Sequence, residues 1–352
     1  MRDRGDRLAA SLGERELDLM LVTNLVNVRY LTGFTGTNGA CVCASDTRLF
    51  LTDFRYTERA EAEVDGWETV TVSDDWLSGV AAHLADRTGF EDDHVSVRLL
   101  ERLRGKLSQG VELVPAGGAV EKLRRVKDEA ELEKIAAAAE LADEVWRWSL
   151  ERGLGGRSER EVARAGEARI RELGGDPSFP AIVAAGPNGA LPHAEPGERQ
   201  IEKGDLVVFD MGAMLDGYCS DGTRTFAVGE PGERAREVYE TVHAAQAAAL
   251  EAVVSGVGGE QLDGVAREAI EAAGHGNRFG HGLGHGVGLE VHEAPRLSPR
   301  SEDVLGVGEV VTIEPGVYLP GELGVRIEDL VSVTPEGCRN LSGLSKGLQL
   351  VD

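Results

Sequence analysis

DMGAMLDGYCSDGTRTF, residues 210–226, folds back on itself at one point. Asp216-Gly217 separates the apolar runs LVVFDMGAM (206–214) and YCSDGTRTFAV (218–228), and Asp-Gly is a strong two-residue hairpin signal. With that dipeptide as the turn, Leu215 faces Tyr218 and Asp210 faces Thr223. Asp221 then lies one diagonal step from Asp210 on the same face, within reach of its side chain. Two aspartates in the middle of apolar strands need a proton, a cation or a metal.

Further along, VVTIEPGVY (310–318) and GVRIEDLVSV (324–333) repeat the arrangement with glutamates. A turn at Leu319–Leu323 makes Glu314 and Glu328 cross-strand partners. A loop one residue longer turns Glu328 to the other face, so by spacing alone Asp329 competes with it. Between the hairpins lies GHGLGHGVGLEVHE (280–293), with three of the eight histidines of the chain. His281 and His285 have the spacing of a helical zinc motif. Glycine at nearly every second place costs a helix roughly 1 kcal/mol per position, and the motif's glutamate is missing. The segment is therefore extended, and its partners lie elsewhere.

Two aspartates, two glutamates and one histidine make a set rich in hard oxygen ligands. It suits manganese, cobalt, iron(II) or zinc better than thiolate-preferring metals. Four carboxylates carry enough charge for two divalent cations, and metals about 3.5–4 Å apart are a known device for activating a water.

Outward from these hairpins, the pattern is helix pair, hairpin, helix pair, hairpin. EKLRRVKDEAELEKIAAAAELADEVWRWSLERG (121–153) reads as one long helix, and Ser158–Leu173 opens with a capping box. Two further helices are expected over 233–254 and 259–273. Two similar halves around a curved sheet follow, with a site on its concave face. The first 120 or so residues alternate strands (17–22, 40–45, 47–53, 69–72) with helices (56–64, 76–87), an α/β pattern. YLTGFTGTNGA (30–40) lacks the strand–GxGxxG–helix arrangement of a phosphate loop.

Composition agrees with a folded domain pair of 352 residues, 41% of them hydrophobic. A net charge of −24 argues against nucleic acid and anionic membranes as partners. The N-terminus has no signal-peptide core and no window reaches membrane-span length. Cys41, Cys43, Cys219 and Cys338 are too scattered for a disulfide framework or a zinc ribbon. A reducing cytoplasm is the expected compartment.

DMGAMLDGYCSDGTRTF, HGLGHGVGLEVHE, TIEPGVY and GVRIED together resemble the pita-bread metallopeptidases, family M24. Their order and spacing match the Xaa-Pro branch of aminopeptidase P and prolidase. NVRYLTGFTGTNGA (27–40) and FLTDFRYTERA (50–60) are similar to the smaller domain that precedes the catalytic domain in that branch. The resemblance implies an α/β chain with a creatinase-like domain over 1–121 and a pita-bread catalytic domain over 122–352. It implies two divalent metals, manganese first, held by Asp210, Asp221, His285, Glu314 and Glu328, and so prefers Glu328 to Asp329. A bridging hydroxide would be the nucleophile and Glu314 its proton shuttle. His193, His281 and His292 would line the substrate cleft. Arg326 would hold the carboxylates from behind or meet the substrate. Gly222 departs from the larger apolar residue frequent there, and Pro187 and Gly189 from serines.

The implied reaction is cleavage of an N-terminal residue from proline in short peptides by a homodimer. The main expectation is an Xaa-Pro aminopeptidase, the alternative an Xaa-Pro dipeptidase. A methionine aminopeptidase would lack the sizeable N-terminal domain. A metal-free creatinase-like hydrolase or a non-enzymatic binding protein would lack the complete ligand set.

Overall fold

The computed structural model describes residues 2–72 and 75–352, which form two compact units, Met1–Arg124 and Arg125–Asp352. The first is built on a six-stranded sheet. Its strands run in the order Glu68–Val72, Arg48–Asp53, Ala40–Ala44, Leu19–Val22, Arg87–Phe90, Glu112–Pro115. Cys41 and Cys43 are buried in the Ala40–Ala44 strand as free thiols. The helix expected over 76–87 stops at Ala81. Asp86 adopts a positive φ of 44°, and the residues after it form a parallel strand that pairs Leu21 with Phe90. Sheet pairing here overrides a helical pattern.

The long helix expected from Glu121 is two helices, Glu121–Arg125 and Glu129–Glu151. Asp128 breaks it. Its backbone is extended, its side chain accepts from the Glu131 amide, and the Glu131 carboxylate reaches back to the Asp128 N–H. Asp-x-x-Glu is a capping box as legitimate as the Ser158/Glu161 one that starts Glu159–Glu172.

In the second unit each helix pair covers its own sheet. Glu129–Glu151 and Glu159–Glu172 pack Val145, Trp146, Val162 and Ile170 against Val183, Val207, Phe209 and Phe226. Those last four belong to a sheet ordered Leu350–Val351, Thr223–Val228, Leu206–Asp210, Ile182–Ala185. Glu233–Ala252 and Gly259–Ala272 pack Val238, Val242, Leu262 and Ile270 against Val311, Ile313, Val331 and Val333. That sheet is ordered Glu293–Leu297, Gly284–Gly286, Val310–Ile313, Asp329–Thr334, Gly337–Asn340. Each fully buried Val, Leu or Phe contributes about 1.5–3 kcal/mol. Two such cores hold a mixed α/β body of paired halves.

The halves meet at their hairpins. The Glu328 amide donates to the Thr223 carbonyl at 3.0 Å, and the Arg326 amide to Thr225 Oγ1 at 3.1 Å. Both expected registers are present: Leu215 pairs with Tyr218, Asp210 with Thr223, and Leu319 with Leu323. Asp216 and Gly217 have φ of 48° and 79°, the two positive values a type I′ turn requires. Gly222 faces Trp146, whose Cη2 would lie 2.8 Å from a Cβ there, so the indole occupies the space of a larger residue.

Candidate metal centre

Where the hairpins converge, a cavity of about 460 Å³ opens in the second unit. All nine candidate residues line it: Asp210, Asp221, His285, Glu314 and Glu328, and His193, His281, His292 and Arg326. Strand breaks place the acids. Asp210 ends one strand, Asp221 sits between two, and Glu314 and Glu328 occupy facing gaps between the Leu319–Leu323 hairpin and the outer strands. Leaving the ladder at these points frees the side chains to turn into the cavity.

His285 is delivered by close backbone approach. A Cβ on Gly284 would fall 2.0 Å from the Thr312 carbonyl oxygen, and one on Gly286 would fall 2.1 Å from that of Ala294. Only glycine lets this short strand lie between its neighbours. His285 Nδ1 lies 3.0 Å from the Gly286 carbonyl, so it carries the proton and donates there. Nε2 then presents a lone pair toward Glu314 Oε1 at 3.4 Å and Asp221 Oδ2 at 3.5 Å. Burial holds the imidazole neutral, its pKa lowered to about 4.

The acids are under strain of the same kind. Burial, then Asp221, Glu314 and Asp210, push Glu328 well above the carboxylate range. Burial, then Asp210 and Glu314, do the same to Asp221. Glu314 is pushed up to about 7, by burial first and the Asp210 charge in part. Asp210 is raised by burial against the opposing pull of Arg326, and its Oδ1 is buried without a hydrogen-bond partner. Lone pair facing carboxylate, and carboxylates facing one another, call for cations between them. Ligand atoms of Asp221, His285 and Glu328 all lie within 4.8 Å of one another. The donor set thus fits divalent metal by its own chemistry.

Arg326 is committed to the protein. Its Nη2 donates to Asp210 at 2.6 Å, its Nε to Thr223 Oγ1 at 2.9 Å, and its Nη1 to the Pro192 carbonyl and the Tyr318 hydroxyl at 3.1 Å. Of the two roles expected for it, holding the carboxylates is the one the bonds describe. His281 is likewise held by the protein. It lines the cavity, but Nδ1 is 2.8 Å from the Gly282 carbonyl and Nε2 is 2.8 Å from the Tyr318 hydroxyl, so neither nitrogen is left for substrate. His193 and His292 are exposed at the cavity, and neither ring makes a hydrogen bond among the described residues. Asp329 points the other way, to Arg224, Lys346, Gln246 and Asn340.

Three residues here escaped the sequence reading. Thr223 Oγ1 donates to Glu328 Oε2 at 2.7 Å while accepting from Arg326. Its place two residues beyond Asp221 was the available signal. Tyr318, four beyond Glu314, ties His281 to Arg326. Arg296 lines the cavity, and its exposed guanidinium forms no ion pair among the described residues. Nothing local marks it.

Paired halves around a buried carboxylate–imidazole cradle define a pita-bread metallopeptidase. Residues 133–335 match the model of metallopeptidase family M24, and residues 4–126 that of the Creatinase/Prolidase N-terminal domain. The chain belongs to metallopeptidase family M24. It is 37% identical to an Xaa-Pro dipeptidase of Pyrococcus furiosus, over 99% of this chain and 100% of that one. The solved Xaa-Pro dipeptidase from Bacillus anthracis superimposes with a TM-score of 0.97 at 39% identity, covering 99% of both chains. The X-Pro aminopeptidase from Thermotoga maritima superimposes with a TM-score of 0.90 at 36% identity, covering 96% of this chain and 99% of that one. No described helix is long and apolar enough to cross a membrane.

Proposed function

We propose that the chain is an Xaa-Pro dipeptidase, hydrolysing the amide bond between an N-terminal residue and a C-terminal proline. This replaces the aminopeptidase expected from sequence. The observation that carries it is Arg296, a cation on the cavity wall that forms no ion pair among the described residues, suited to the free carboxylate of a dipeptide. The names of the Pyrococcus and Bacillus relatives support the same reading; that of the Thermotoga structure favours the aminopeptidase.

Asp210, Asp221, His285, Glu314 and Glu328 would hold two divalent cations, and manganese, cobalt, zinc and iron(II) all suit these ligands. When bound, such cations supply a water of lowered pKa and polarise the scissile carbonyl. Glu314, in the cavity beside the other acids, would take the proton of the attacking water and pass it to the departing proline nitrogen. His193 and His292 meet the peptide with their free ring nitrogens. His281 and Tyr318 position Arg326, which holds Asp210. The protein acts as a homodimer in the cytoplasm.

The test is hydrolysis of Ala-Pro and Ala-Pro-Ala by manganese-loaded protein beside a chelator-stripped control. Metal-dependent cleavage of Ala-Pro is the expected result. Release of alanine from the tripeptide at a comparable rate would make the chain an aminopeptidase instead.

A further inference from the structure

A second cavity in the same unit, of about 420 Å³, shares no lining residue with the first. It lies among the start of the Glu233–Ala252 helix, the turn after Gly259–Ala272 and the Leu319–Leu323 hairpin turn. Arg234, Arg278, His275 and Asn277 line it, with Glu322.

Nearby Arg236 is 2.5 Å from Glu230, and Arg267 is 2.8 Å from Asp263. Arg234 and Arg278 form no ion pair among the described residues, in a chain whose net charge is −24. His275 is 8% exposed; its ring makes no hydrogen bond among the described residues, and its nitrogens are not fully buried. Its main chain is fully used: the amide donates to the Ile270 carbonyl at 3.0 Å, and the carbonyl accepts from Arg278 at 2.8 Å. Arg234 and Arg278 are exposed at this recess, and with the His275 ring in its wall they present converging donors to an acceptor-rich ligand.

We propose that this cavity binds a tetrahedral oxyanion of the phosphate or sulfate type. Guanidinium forks match the oxygen geometry of such ions, and the Asn277 amide and His275 ring add donors. Glu322 subtracts one charge from the two arginines and leaves the cavity positive. The site backs onto the wall of the metal cavity. Phe279, one residue after Arg278, meets the His281 ring edge-on at 5.1 Å, and Leu319 follows Tyr318 in the same strand.

Sodium sulfate, which does not strip divalent cations, is the probe. Calorimetric titration into the metal-loaded full chain is expected to show saturable binding, of which this site is the part that the variants below weaken. The Arg234→Gln/Arg278→Gln double variant should bind about tenfold or more weakly, as loss of charge-assisted bonds requires. Its melting temperature without sulfate should stay at that of the parent. His275→Asn, which leaves both arginines in place, tests the same site and should also weaken binding. Equal affinity in parent and variants would place the ion elsewhere, and absence of saturable binding at millimolar sulfate would remove the site.

Discussion

The Tyr318 hydroxyl lies 2.8 Å from His281 Nε2 and 3.1 Å from Arg326 Nη1, joining a cleft histidine to the arginine that holds Asp210. With Nδ1 of His281 donating to Gly282, Nε2 is the acceptor and Tyr318 is the donor. Tyr318→Phe removes that proton and leaves a buried acceptor unpaired, which costs about 1–3 kcal/mol. The expected outcome is a lower melting temperature and a roughly tenfold fall in kcat, each 1.4 kcal/mol being tenfold. Metal content by elemental analysis should not change. A variant with parental kcat would detach Tyr318 from the reaction.

Thr223 contributes by orientation, since its hydroxyl both donates to Glu328 and accepts from Arg326. Thr223→Val keeps the shape and deletes both bonds. Groups that orient a ligand in this way are worth about 10–100-fold in metal affinity. Competition against a chelating dye would read the loss.

Metal-free protein should respond to pH in a sense that loaded protein does not. Burial raises the Asp221 and Glu328 carboxyls well above their ordinary range, so the folded state keeps protons the unfolded chain has released. Stability then falls as pH rises. Between about pH 4 and 6.5 the buried neutral His281 and His285, both lowered to about 4, act in the opposite sense. Only about one unit above pH 6.5 have the histidines finished titrating in either state, leaving the raised carboxyls, Glu314 at about 7 among them. In chelator the melting temperature should therefore fall as pH rises beyond about 7.5, and metal should abolish the fall by replacing the protons. A flat profile in chelator would contradict the charge arrangement described for the cradle.

Arg296→Gln should separate substrates by their C-terminus. Loss of a charge-assisted contact is expected to raise KM for Ala-Pro about tenfold. Ala-Pro-amide, which has no carboxylate, should show little change. Equal effects on both would leave Arg296 without the assigned partner.

Ser158→Ala removes the cap of the Glu159–Glu172 helix. The expected cost is about 1 kcal/mol, a shift of roughly 2–4 °C in melting temperature for a unit of this size. Activity per folded molecule should be unchanged.

The register of the first hairpin was legible in the sequence because it depends on a two-residue turn and a side-chain period of two, whereas the second left Glu328 and Asp329 in competition until the Leu319–Leu323 pairing decided it. Asp216-Gly217 admits one turn type, and that choice places Asp210 opposite Thr223. The cap at Asp128 was equally local but was read through, since alanine-rich helical periodicity continues on both sides of it. The strand at Arg87–Phe90 was not legible, because its evidence is its neighbours on either side in the sheet.

What the sequence by itself determined is the inventory and its order: four carboxylates on two hairpins, a glycine-flanked histidine between them, and the helix pairs that cover each sheet. These follow from turn chemistry, capping and periodicity, which act within a few residues. Tertiary structure alone decided the rest. Glu328 faces Thr223 while Asp329 turns to Arg224; Arg326 spends its donors on Asp210, Thr223 and Tyr318; and Arg296 stands in the cavity wall with no ion pair among the described residues. Each of those outcomes depends on groups from distant parts of the chain competing for the same charge in a buried space, and no local rule ranks that competition.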